Sequence, residues 1–420
     1  MTTAQIALRN CFRYRARSLI TISAIAFGAV ALIFVGGFFE DMFYKMRESY
    51  IKGHTGHLQV YKRGFFEHGS GKPFNYLIEQ PQVVVPLIRN LEGVQSVTSR
   101  VEFAGLISTG DSTVACLAQG IEPQHESMIR AADTAGARKD LPSLGGSVIV
   151  AGEPLRADDA YGVLLGKGLA GGLDVTPGDS LILVGNTVGG SINAYDVTVR
   201  GIFFTSSKVF DDHAMRLPLA TAQQLLHTEA VQALVITLHR TSDTPRVKRL
   251  LEQLVAERHL DLEVKDWSEL TDFYAKTRLL FGRMFFILKL VIAIIVILSI
   301  YNTMNMAVLE RTTEIGTLMA LGTKRSGVWR LFLYEGAALG CVGGLVGIVA
   351  GTLLTLVVRH IGIPMPPPPG ATMTWISEPM IVPSVLGFTL ILAVLTALLS
   401  SVYPAYKASK LEIAQALRYV

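Results

Sequence analysis

Residues 310–325 read Glu-Arg-Thr-Thr-Glu-Ile-Gly-Thr-Leu-Met-Ala-Leu-Gly-Thr-Lys-Arg, between two long apolar runs. The reading of this stretch decides the fold. Ile315, Leu318, Met319 and Gly322 recur at three- and four-residue spacing and predict one apolar helical face. Glu310, Arg311, Glu314 and Thr317 populate much of the rest, and Gly316 and Leu321 complete the segment. Lys324 and Arg325 follow Gly322, where cations meet the exposed carbonyls of a helix C-terminus. A short amphipathic helix joined at both ends to membrane spans cannot move without moving the spans.

The composition supports the membrane setting. Half of the 420 residues are hydrophobic, 17% are charged, and mean hydropathy is +0.41. A soluble protein of this length is more polar. The net charge of +4 is unremarkable as a total and informative only in its distribution. No basic stripe points to nucleic acid. Cys116 is the one cysteine of the large polar region, so that region cannot close an internal disulfide.

Working outward, the apolar runs predict four spans, at 19–39, 281–308, 328–358 and 381–402, each long enough for a hydrocarbon core about 30 Å thick. Residues 1–18 carry Arg9, Arg13, Arg15 and Arg17 without an acid and read as an amphipathic helix at a membrane surface. The first apolar run continues past Ala29-Val30-Ala31 and is longer than the core of a cleaved signal, so it reads as an uncleaved span. The segments 1–18, 309–327 and 403–420 hold four, three and three Lys or Arg; the loop 359–380 holds only Arg359. That bias predicts cytoplasmic termini and a cytoplasmic 309–327, with residues 40–279 outside.

Residues 40–279 predict a mixed α/β domain. Strands are expected at 57–61, 94–108, 180–184, 195–199 and 233–238. Helices are expected after Pro81 and after Thr244-Pro245. Thr176-Pro177-Gly178-Asp179 reads as a turn, Gly185 to Ser191 as a Gly-rich loop and Pro366 to Pro369 as a polyproline II segment. The economical arrangement is a split α/β subdomain built from both flanks, with a β-rich subdomain (about 110–210) inserted.

Chemistry-bearing motifs are sparse. Gly162-Val-Leu-Leu-Gly166-Lys167-Gly168 has one residue too few between its glycines for a phosphate loop, and Gly where Ser or Thr is needed. ATP energy would therefore come from another subunit, and this chain is expected to bind no ATP or magnesium itself. His54 and His57, and Asp211, Asp212 and His213, read as exposed loop side chains rather than metal ligands, because both groups lie in turn-rich polar sequence with no obvious further partner. No catalytic dyad or nucleophile elbow is present, so no catalytic residue is expected. The third span carries two glycine rows, Gly336, Gly340, Gly344 and Gly343, Gly347, Gly351, whose spacing lets helices approach closely. Lys289 and Glu335 are the ionisable residues deepest in the spans. Lys289 is expected to snorkel outward, and Glu335 to pair with Arg330 or with the basic end of the 310–325 stretch.

Taken together, Glu310 to Gly322, Glu335-Gly336, the glycine rows, and the ending Pro404-Ala-Tyr-Lys-Ala-Ser-Lys-Leu-Glu-Ile-Ala-Gln-Ala-Leu-Arg418 resemble the permease domain shared by MacB, FtsX and LolC/LolE ABC transporters. Gly166-Lys-Gly-Leu-Ala170 with Gly178-Asp179 is similar, more loosely, to a pattern of that family's periplasmic domain. The resemblance implies a multi-pass inner-membrane subunit that dimerises with itself or a second permease and sits on separate ATPase subunits (LolD- or MacB-like). It implies mechanotransmission, with Glu310 to Arg325 as the segment that receives the ATPase stroke. The absence of an ATPase segment departs from MacB, and the size of the outer domain departs from FtsX. LolC/LolE-type release of lipoprotein to a periplasmic carrier is the leading implication. A generic exporter working with an adaptor, or an FtsX-like signal relay, is the alternative.

Overall fold

The computed structural model describes residues 15–412 except 70, 125–146, 157, 206 and 367–374. The surface helix expected at 1–18 lies mostly outside the described residues. So do Pro367 to Pro369 and the end of the C-terminal motif. The chain forms two compact units, one of residues 1–43, 277–364 and 376–420, the other of residues 44–276 and 365–375.

The first unit is helical. Among the described residues, four helices are long and apolar enough to cross a membrane by length and composition: α1 (Arg15–Tyr50), α6 (Asp272–Glu310), α8 (Arg325–Ile361) and α9 (Pro383–Ser409). Each exceeds its apolar run, because once the backbone bonds propagate, helix continues into polar sequence until a cap stops it. A short helix α7 (Thr312–Ala320) joins α6 to α8. Ile25, Val296, Ile300, Met304, Val308, Phe332, Leu339, Ala393 and Ala397 build the apolar cluster between the helices. Asp41 is buried, and its carboxylate accepts from the backbone N–H of Glu378 at 2.8 Å.

The glycine rows of α8 each serve a different neighbour. A Cβ on Gly336 would strike Ser401; on Gly340 it would lie 2.7 Å from the Ala397 Cβ; on Gly344, 2.9 Å from Leu390, all on α9. A Cβ on Gly343 would lie 2.8 Å from Ile25, on Gly347 it would strike Ala29, and on Gly351 it would lie 3.2 Å from Ile33, all on α1. Both rows are packing faces within the chain, and the close approach stands in for the hydrophobic drive that lipid removes.

The second unit is built on a ten-stranded sheet in the order β10-β1-β9-β2-β3-β8-β5-β7-β4, with β6 bonded to β2 and β7. β1 is Leu58–Lys62, β2 Val94–Ser108, β3 Thr113–Ile121, β4 Val148–Gly152, β5 Gly162–Gly166, β6 Ser180–Asn186, β7 Ile192–Phe204, β8 Ala214–Pro218, β9 Ala233–Leu238 and β10 Leu262–Asp266. The long strand β2 serves two partner sets. Val94–Arg100 pairs with β9, whereas Val101–Ser108 pairs with β3 and, from Gly105, with β6. Helices α2 (Pro81–Arg89), α3 (Lys167–Leu173), α4 (Leu219–Leu226) and α5 (Thr244–Glu257) accompany the strands. Val84 and Ile88 of α2 and Val247, Leu251 and Val255 of α5 face the core, as the helical period requires.

The expected strands at 94–108 and 233–238 are the observed ones. The Gly-rich loop is shorter than expected, since Gly185 and Asn186 continue the ladder opposite Asn193 and Ile192. Thr176 to Asp179 does turn, with Gly178 at φ +106°.

Candidate functional site

The hairpin from α6 through α7 to α8 turns on two residues. Arg311 interrupts the helix for a single residue, at φ −109° and ψ 19°. At the other end α7 stops in a two-bond helix cap. The N–H of Thr323 donates to the Leu318 carbonyl at 3.0 Å and that of Gly322 to Met319 at 3.1 Å. Gly322 stands at φ +95°, where an L side chain is strained.

Three expectations for this stretch are corrected. The helix covers Thr312–Ala320, so Glu310 ends α6 while Lys324 and Arg325 lie at the start of α8. The buried face is Thr312, Ile315, Gly316 and Met319, whereas Leu318 (40% exposed), Leu321 (79%) and Gly322 face outward. Thr312, Ile315, Gly316 and Met319 satisfy the same three- and four-residue spacing as the expected face and share Ile315 and Met319 with it, so the period alone does not choose between the two sides. Arg311 is itself buried, and it rather than Arg330 is the partner of Glu335.

The Arg311 guanidinium reaches Glu335 Oε2 at 3.2 Å and Oε1 at 3.4 Å, and its Nε donates to Glu314 at 3.3 Å. Both members of the pair are buried. A charge pair held this deep stands or falls with its geometry, since neither member is well solvated alone. It ties the joint between α6 and α7 to the inside of α8.

Lys289 lies beside two aromatic rings. Its ammonium lies 4.4 Å from the ring centroids of both Phe285 and Phe388, beside a cavity of about 160 Å³ that Leu32, Ser384 and Thr389 also line. Cation–π attraction on two faces substitutes for part of the lost hydration.

The second unit holds a feature that the sequence reading missed. Beyond its apolar run, α1 continues to Tyr50 and ends in a π-helical turn, Ile51–Thr55. The last carbonyls of a helix lack intrahelical donors. Here three in succession are taken by side chains from the sheet: Gly53 by Arg216 at 3.2 Å, His54 by Arg100 at 2.6 Å, and Thr55 by Gln59 at 2.7 Å. All three donors are buried. Arg216 is further held against the Phe203 ring at 4.7 Å. A helix tail ending Gly53-His-Thr-Gly56 was the available signal for the capped end.

Two residues read as exposed loop positions are buried instead. Asp211 accepts from the Thr205 N–H and hydroxyl, its Oδ1 lying 2.9 and 2.7 Å away. His57 Nδ1 accepts from the Leu238 N–H at 3.1 Å, and Nε2 lies 3.2 Å from Thr241 Oγ1. Burial lowers the His57 pKa to about 4. The hydrogen-bond pattern assigns the neutral tautomer with the proton on Nε2. His213 is exposed. Among the described residues no cluster of His, Cys, Asp and Glu could hold a metal ion. In the segment resembling a phosphate loop, Gly166 and Gly168 pack against Asp211 and Asp212. These glycines make room for a protein turn.

Comparison with known families gives two matches along the chain. Residues 18–254 match the MacB-like periplasmic core domain, and residues 286–413 match the FtsX-like permease C-terminal domain. This chain belongs to the MacB/FtsX/LolC–LolE family of ABC transporter permeases. Among relatives, the permease is similar to the lipoprotein-releasing system transmembrane protein LolC of Xylella fastidiosa (strain 9a5c), 28% identical over 62% of this chain and 65% of that one. It thus spans just under two thirds of that relative's length. It is 26% identical to LolE of Haemophilus influenzae (strain ATCC 51907 / DSM 11121 / KW20 / Rd) over 82% of this permease and 85% of LolE. An uncharacterized ABC transporter permease of Methanocaldococcus jannaschii is 26% identical over 98% and 96%.

Proposed function

We propose that this permease relays the stroke of a separate ABC ATPase, which binds the ATP and magnesium, across an inner membrane to its α/β domain. The relayed motion extracts lipoprotein, or another lipidic substrate, from the membrane and passes it to a periplasmic carrier or adaptor. The observation that carries this reading is the division of labour on α7. One face is locked into the helices through Ile315, Met319 and the Arg311–Glu335 pair. The opposite face presents Leu318 and Leu321 beside Lys324 and Arg325. Exposed leucines rimmed by cations at the tip of a helical hairpin suit a protein partner. The clustering of Lys and Arg supports a cytoplasmic placement of this hairpin and both termini, with residues 40–279 outside.

In this assignment residues 310–325 receive the stroke, the glycine rows keep α1, α8 and α9 together, and a second permease, identical or related, completes the transporter. The outer domain is read as a flanking α/β lobe and a β-rich lobe that share β2. The names of the LolC and LolE relatives support lipoprotein as cargo. Leu321→Asp tests the interface directly. It removes an exposed contact, so co-purification of the ATPase falls at least about tenfold while the thermal midpoint stays within a few degrees. Undiminished co-purification would remove α7 from the interface. Accumulation of unreleased lipoprotein after depletion of the permease tests the cargo, and normal release would exclude it.

A further inference from the structure

A cavity of about 430 Å³ opens beside the end of α1, lined entirely by residues of the sheet-bearing unit. That volume lies within the range of small-ligand sites. One wall is Arg47, Glu48 and Lys52; the other comes from His57 and from residues 237–241, the end of β9 and the turn after it.

A hydrogen-bonded chain fixes one wall to the other. The Leu238 N–H donates to His57 Nδ1, His57 Nε2–H to Thr241 Oγ1, and the Thr241 hydroxyl to Glu48 at 3.1 Å. Glu48 in turn lies 3.4 Å from Arg47 and 3.8 Å from Lys52. Arg47 is also stacked at 5.1 Å from the Tyr44 ring centroid, which holds its guanidinium plane. Arg240 is exposed on the rim and forms no ion pair among the described residues.

We propose that this cleft binds a phosphate group, carried by a lipid head group or by a small solute. Arg47, Lys52 and Arg240 bring three positive charges to one carboxylate, and neutral His57 adds none. The Nε of Arg47 is buried with no hydrogen-bond partner among the described residues. A donor left in that state is satisfied by an incoming acceptor, and an arginine fork matches phosphate oxygens in pairs. The polar chain behind Glu48 orients the cations before the ligand arrives, which lowers the ordering cost of binding.

The chain reaches the cleft at Tyr44, five residues past the apolar run that ends at Phe39, about 8 Å along the helix. That is head-group depth for a spanning α1. The lipid source rests on reading α1 as a span; the anion site does not.

The test uses the full chain in neutral detergent micelles, titrated calorimetrically with dihexanoyl phosphatidylglycerol, glycerol 3-phosphate and inorganic phosphate, with dihexanoylglycerol as the phosphate-free control. At least one phosphate-bearing probe binds saturably, and the control does not. Arg47→Gln weakens that binding about tenfold and the exposed Arg240→Gln about threefold. Glu48→Gln, which removes the competing carboxylate, tightens it, a gain that misfolding cannot mimic. Binding of phosphatidylglycerol alone assigns a lipid source; binding of the soluble phosphates assigns a solute, and either supports the site. No saturable binding by any phosphate probe, or binding unchanged in Arg47→Gln and Arg240→Gln, overturns it. The titration contains no ATPase and reads no release, so its failure is separate from a failure of the coupling assignment.

Discussion

The joint between α6 and α7 and the end of α1 both fasten a helix terminus, and they do it with different chemistry. At Arg311 the fastening is side chain to side chain, guanidinium to carboxylate, with both partners buried. At Gly53 to Thr55 it is side chain to main chain, with Arg216, Arg100 and Gln59 each taking one carbonyl. An ion pair can be exchanged as a unit for apolar residues, because its worth is the avoidance of a lone buried charge. A carbonyl has no replacement, so a cap on it constrains the backbone whatever side chains the captured turn carries. The first arrangement suits a hinge that retains one orientation; the second suits a clamp that moves with the sheet.

The largest effect that would break this contrast is expected at Arg311. Arg311→Met leaves Glu335 buried without its guanidinium and destabilises the helical unit by about 3–5 kcal/mol, read as a lower thermal midpoint. Arg311→Met with Glu335→Met recovers most of that loss. A double variant as unstable as the single one would mean that the pair is not the fastening.

At the clamp, His57 gives a pH signature. Its folded pKa of about 4 lies below the 6.5 of an unconstrained imidazole. Its contribution is therefore complete above pH 6.5 and is lost as the pH falls toward 4, to a total of about 3 kcal/mol. Unfolding followed across that window should show a steeper acid loss in the wild type than in His57→Gln. Parallel curves would count against the buried neutral imidazole.

Removing one clamp donor is a smaller perturbation. Arg100→Met should cost about 1–3 kcal/mol and speed amide exchange at Gly56, whose N–H closes the π-helical turn on Ile51. Unchanged exchange would mean that the other two donors suffice. The smallest effect is at the outward turn, where Gly322→Ala costs about 1 kcal/mol through its positive φ.

Much of the architecture was legible because it rests on period and length. Four apolar runs, the amphipathic faces of α2 and α5, and the continuous strands 94–108 and 233–238 each carry their signal within one window. The glycine rows were legible as packing faces, but not which row met which helix. What failed depended on contacts distant in sequence. Arg311 looked like a surface charge until Glu335 came from 24 residues away. Leu318 looked buried because two overlapping faces, both containing Ile315 and Met319, fit the helical period equally well. Arg100 lies in an expected strand and Arg216 in no expected element, and only folding brings them to the end of α1. His57 and Asp211 misled because turn-rich sequence predicts exposure, while here the turns pack inward.

The two glycine rows of α8 also set a rule of phase. One row faces α9 and the other α1, and only a fixed rotation of α8 satisfies both. Inserting one residue between Gly340 and Gly343 would turn the second row by about 100°, lifting it off α1 while the first row stays on α9. An insertion of seven residues would restore the orientation to within about 20°. This span can therefore drift in composition outside its glycines far more easily than it can change in length.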